Sequence, residues 1–102
     1  MSELYVELGN MDKRFQSFNG EFAEFERVEH KRSASPDIHA MLLLEELFPT
    51  DNGSDMIRAA EHDTIYFRPS EEQLLTLSQK HILELTRCGI SYSEYDYLYS
   101  FV

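Results

Sequence analysis

The sequence predicts an α+β fold, a small antiparallel sheet of three to four strands packed against three to four helices, and three observations carry that reading. Apolar residues recur at helical spacing in several stretches between Met11 and Arg87. Short runs rich in Thr, Ile, Tyr and Phe read as strands at Thr64 to Phe67, Ile90 to Ser93 and Tyr97 to Val102. Gly, Pro and Asn fall between these segments, where turns are needed. At 102 residues the chain has the size of one domain, for which roughly 100 to 150 residues is usual.

Leu4, Val6 and Leu8 alternate with Tyr5 and Glu7 before Gly9-Asn10, which predicts a short edge strand at the N-terminus. Met11, Phe15, Phe18, Phe22, Phe25 and Val28 then follow at spacings of four, three, four, three and three. That stripe predicts a helix over 11–28 with a Phe seam. Asn19-Gly20 is the competing signal, since it favours a hairpin of two strands, but strand alternation would place Phe15 and Phe18 on opposite faces. A polar connector from Glu29 to Ser35 leads to Ser35-Pro36-Asp37, a cap, a first-turn proline and an acidic first turn in order. The helix that starts there carries Ile38, Met41, Leu42, Leu44 and Leu47 and must stop near Phe48, before Pro49. It is nearly apolar all round between Ala40 and Leu44 and reads as the central buried helix.

Thr50 to Gly53 is a turn, and Ser54 caps an expected short helix through Asp55, Met56, Ile57, Ala59 and Ala60. Ser70 with Gln73 makes a capping box after Pro69. The helix that follows runs through Leu74, Ile82 and Leu85 to Arg87, with a break at Ser78 as an option and Gly89 as its stop. The last two strands are joined by a tight turn at Glu94 to Asp96.

Composition removes whole classes of function. With 19 Asp and Glu against 9 Lys and Arg, the net charge is -10, so the summed field repels nucleic-acid phosphates and anionic membrane surfaces. It favours solubility and steered encounter with a basic partner. A lone thiol, Cys88, fits a reducing compartment. No basic N-terminal region with an apolar run, and no stretch of 18 apolar residues, is present. The expectation is a soluble cytoplasmic protein.

The one compact titratable group is Glu61-His62-Asp63, with Asp37 and His39 as companions from the preceding helix start. A His beside carboxylates can serve as general base or metal ligand. Against this, neighbouring residues on one element point in different directions, and no His-Glu-x-x-His helix, paired Cys-x-x-Cys units or Asp-rich calcium loop is present. His62 and Asp63 are expected to close the helix end and to hydrogen-bond locally. Cys88 near a helix C-terminus meets the wrong end of the dipole for thiolate formation and reads as structural and half-buried. Glycines at positions 9, 20, 53 and 89 form no phosphate-binding loop. No catalytic residue, metal site or cofactor is assigned.

The most unusual local composition is Tyr92, Tyr95, Tyr97 and Tyr99 interleaved with Glu94 and Asp96. Tyr gives rigid contact area with a polar tip, while also suiting strands for purely structural reasons. Tyr97 and Tyr99 should share one face of the last strand, opposite Leu98. These six residues are the expected partner-binding set.

Ala59-Ala60-Glu61-His62-Asp63 followed by the Thr64 strand, Arg87-Cys88-Gly89-Ile90 and the terminal Phe101-Val102 resemble a pattern in small uncharacterised proteins of bacteriophages and other mobile elements. The resemblance covers at most the C-terminal two thirds of the chain. It implies no assigned activity, but a context in which small acidic proteins inhibit host or defence machinery in the host cytoplasm. Close imitation of DNA does not fit, because the basic residues are dispersed and the acidic ones form no long runs.

Three functions follow. The first is a non-enzymatic inhibitor that binds a basic surface on a protein partner through carboxylates and Tyr. The second is a small metal-dependent hydrolase centred on His62 and Asp63, which requires His39, His62 and a carboxylate to converge on one pocket. The third is an assembly subunit, marked by an extensive apolar face or a symmetric homodimer.

Overall fold

Residues 11–16 form the first helix, α1, in the computed structural model, which describes residues 11–50, 53–93 and 97–101. The expected strand at Leu4 to Leu8 and the turn at Glu94 to Asp96 lie outside these residues. Met11 and Phe15 are buried on α1. The helix does not run to Val28 as the Phe spacing predicts, and no hairpin replaces it. Two single 3₁₀ turns follow instead, at Asn19–Glu21 and Phe25–Arg27. Gly20 costs about 1 kcal/mol in a helix, and Ala23 enters the left-handed region at φ 61°. Its N–H donates to Thr86 O at 3.0 Å. Tethering to a later helix therefore replaces the next intrahelical bond, while Phe18 and Phe25 still pack on the core.

Pro36–Leu47 is α2, buried through His39, Ala40, Leu43 and Leu44. Ser35 occupies the cap position with extended backbone, although its hydroxyl accepts no capping bond. The helix is less enclosed than its composition suggests, since Ile38 and Leu42 are exposed. Beyond it the structure corrects the expected helix at Ser54 to Ala60: Ile57–Glu61 is a strand, β1. His62 takes φ 55° in the two-residue loop that follows, so the chain reverses without glycine and β1 pairs antiparallel with β2, Thr64–Phe67. Pairing outweighs the helix propensity of Ala59 and Ala60.

Ser70 and Gln73 form the expected reciprocal capping box on the single-turn helix α3, Glu71–Leu74. The option of a break at Ser78 is the one taken: Ser78 caps a separate helix, α4, Gln79–Arg87, by accepting from His81 N–H. At its end Gly89 adopts φ 85°. Ile90 N–H donates to Leu85 O at 3.0 Å and Gly89 N–H to Thr86 O at 2.9 Å, closing the orphan carbonyls as a Schellman motif. Buried Leu85 and Ile90 make its apolar contact. The turn aims the chain into β3, Ser91–Tyr92, and β4, Leu98–Phe101.

The four strands form one antiparallel sheet in the order β1-β2-β4-β3. Phe67 and Leu98 turn into a core shared with Met11, Phe15, Leu43, Leu44, Leu74, Ile82, Leu85 and Ile90, and Ile65 and Tyr92 pack against it. Arg68 ties the segment before β1 to the sheet, donating to Phe48 O at 2.8 Å and Ser54 O at 2.9 Å. No helix among the described residues is long and apolar enough to cross a membrane.

Candidate docking face

Strand alternation sends every second residue of β2 and β4 away from the core, and the ladder register lines these residues up. Ala59, Tyr66, Tyr99 and Ser91 make one row across all four strands, and Glu61, Thr64 and Phe101 make the next. The Tyr66 and Tyr99 rings lie 6.2 Å apart, and Tyr99 meets Phe101 edge to face at 5.5 Å. Phe101 is 62% exposed, the most exposed of the large apolar residues described. A sheet face normally turns polar residues to water. This one carries an aromatic strip instead.

A recess of about 330 Å³ opens at the β1 end of the strip, lined by Arg58, Ala59, Glu61, Tyr66 and Tyr97. The register slips between Ile57 and Ala59, so Arg58 has no ladder partner in β2. Its guanidinium carbon lies 4.4 Å from the Tyr97 ring centroid, well within the reach of a cation–π contact. Among the described residues, Glu61 forms no ion pair.

The partner-binding set expected from sequence is divided by the fold. Tyr97 and Tyr99 lie on the outward strip, on the side opposite buried Leu98, as the alternation required. Tyr92 does not join them: its ladder partner is Leu98, so it turns to the core side and stacks on Phe15 at 6.1 Å. Glu94, Tyr95 and Asp96 lie outside the described residues. Arg58, Tyr66 and Phe101 escaped the sequence reading, although the alternation of Thr64 to Phe67 puts Tyr66 on the face opposite Ile65 and Phe67; its pairing with Tyr99 needs the β2–β4 register. Arg58 was hidden by the expectation of helix.

His62 and Asp63 are exposed turn residues of the β1–β2 loop, with Thr64 Oγ1 donating locally to Asp63 at 3.5 Å. They close a strand hairpin, not a helix end. His39 is fully buried elsewhere, between α2 and α4. Its Nδ1 accepts from Arg32 N–H at 3.0 Å, which leaves Nε2 to donate to Glu84 at 2.7 Å. Both ring nitrogens are thus engaged in structure. Among the described residues no group of three or more His, Cys, Asp or Glu is placed to hold a metal ion. Cys88 is buried more fully than expected. Desolvation, with the Glu84 charge second, pushes its thiol up to about 12, so the reactive thiolate is suppressed.

A second concavity, also about 330 Å³, lies between residues 28–32 and α4, where His30, Arg32, Lys80, His81 and Arg87 meet Glu29 and Glu84. Its guanidinium groups are already matched by carboxylates: Arg32 with Glu46, and Arg87 with Glu21 at 3.1 Å. The hydrogen bond from Arg27 holds the Glu21 carboxyl below its ordinary value; desolvation, the next effect in size, opposes it, and Arg87 adds to the lowering. The cleft is a mixed-charge surface with no dominant sign.

No family model, curated protein or solved structure matches the chain.

Proposed function

We propose that the chain is a non-enzymatic interaction protein that docks a basic surface of a protein partner on the outward face of its sheet. The aromatic strip of Tyr66, Tyr97, Tyr99 and Phe101 carries the reading. Aromatic side chains bury large areas at low entropic cost and are enriched among residues that dominate binding energy. Net charge of -10 selects a basic partner and raises its encounter rate. Arg58 seated on Tyr97 gives an intramolecular instance of the same cation-on-ring chemistry. The resemblance to small phage proteins supports an inhibitor of host or defence machinery acting in the host cytoplasm.

Affinity capture from a bacterial lysate, comparing wild type with the double variant Tyr99→Ser, Phe101→Ser, tests the reading. A captured protein should be lost by at least tenfold in the variant, since truncating a central aromatic contact costs about 2 kcal/mol or more. Capture should also weaken as salt rises from low to physiological, where charges are screened over about 8 to 10 Å. Equal yield from both proteins, indifferent to salt, contradicts it.

A further inference from the structure

We propose that the recess beside β1 is a binding site for a cationic side chain, arginine in preference to lysine, and that Arg58 is its built-in occupant. The inference rests on the docking face proposed above and names the group that enters it. The walls are chemically suited to a planar cation. Tyr97 presents a ring face to a guanidinium at 4.4 Å, Tyr66 supplies a second ring, and Ala59 adds only a methyl group to the lining. A guanidinium stacks on such a face and pairs with a carboxylate in one plane, which an ammonium cannot do. Glu61 lines the same recess, and no described residue forms an ion pair with the carboxylate that would complete the site.

The backbone explains why Arg58 is there and why it can leave. The slip of register lifts residue 58 out of the β1–β2 ladder, and the whole of β1 is exposed. Its side chain is therefore held by the ring contact and not by the strand pairing. An exposed cation–π contact accounts for only about a two- to fivefold preference. A partner arginine that adds pairing to Glu61 outcompetes it, and the negative field of the chain favours that exchange. Arg58 thus shields Tyr97 from water until a stronger cation displaces it.

The test titrates the full chain with N-acetyl-arginine amide, using N-acetyl-glutamine amide as a neutral control of similar size, and follows Tyr ring and backbone amide resonances. Arginine amide should shift the signals of Ala59, Glu61 and Tyr97, and the control should not. Arg58→Gln should tighten binding two- to fivefold by removing the competitor, whereas Glu61→Gln and Tyr97→Leu should each weaken it at least threefold. Arg58 and Glu61 are exposed strand residues, so those two variants remain decisive if Tyr97→Leu folds poorly. Unchanged or weaker binding in Arg58→Gln, or equal shifts from the neutral control, overturns the proposal. If arginine amide fails to bind while partner capture still collapses in Tyr99→Ser, Phe101→Ser, the docking face stands and the recess falls. If arginine amide binds as stated but capture ignores that double variant, the recess stands as a cation site and the docking face falls.

Discussion

Leu98 and Tyr99 are consecutive on β4 and belong to different halves of the molecule. Leu98 is fully buried among residues of the core, whereas Tyr99 stands in a strip that ends in largely exposed Phe101. One strand thus supplies folding energy through one face and, in the proposed function, contact chemistry through the other. Aromatic content alone therefore does not mark a surface: Tyr92, the ladder partner of Leu98 on the adjacent strand β3, is an aromatic residue committed to packing on Phe15.

Truncating both neighbours separates the two faces most directly. Leu98→Ala should cost about 2 to 5 kcal/mol in urea unfolding, as large-to-small changes in a packed core do. Tyr99→Ala should cost about 1 kcal/mol or less and act on binding instead. Similar losses from both would erase the distinction between the faces.

His39 sharpens the buried side of the comparison. His39→Ala leaves the Arg32 N–H without its acceptor and Glu84 without its donor, beside a cavity of imidazole size. A loss of about 2 to 4 kcal/mol is expected from groups so stranded, with no change in partner capture. Loss of capture at unchanged stability would instead give His39 a role in the function.

Gly89→Val comes next. Apart from its chain neighbours, no atom lies within 4 Å of the position a Cβ would take, so backbone strain at φ 85° is the main obstacle to the change. The expected cost is about 1 to 3 kcal/mol, and because the turn aims β3, the register of the sheet edge should suffer with it. A variant that melts like wild type would sink the helix-stop assignment.

The smallest effect concerns Cys88, whose thiol is pushed up to about 12 by burial. Near pH 8 the native protein should resist alkylation, and urea-unfolded protein should react rapidly. Rapid native labelling would show that this part of the core opens readily.

Much of this arrangement was legible before any coordinates, because it depends on local stereochemistry. Pro36 and Pro49 bracket α2, Ser70 with Gln73 starts α3, and Ser78 and Gly89 bound α4. What was not legible depends on partners distant in sequence. The helical stripe from Met11 to Val28 breaks into α1 and two 3₁₀ turns once Ala23 is tethered to Thr86, with Met11, Phe15 and Val28 buried and Phe22 left exposed. Ala59 and Ala60 prefer helix in isolation, and only β2 makes them a strand. The same dependence governed the site. Tyr97 and Tyr99 followed from alternation within one strand, whereas the core-facing placement of Tyr92 required the register between β3 and β4, and Arg58 required the slip in β1.

In the proposed function the partner meets the sheet and not the helices. Leu42 on α2 is an equally fair hydrophobic target, 43% exposed against 62% for Phe101. Photo-crosslinking with p-benzoylphenylalanine installed at position 101 or at position 42 therefore separates the two surfaces in one experiment. Adducts to the captured partner from position 101, and none from position 42, are the predicted result. Adducts from position 42 alone would contradict the claim and move the docking surface to α2.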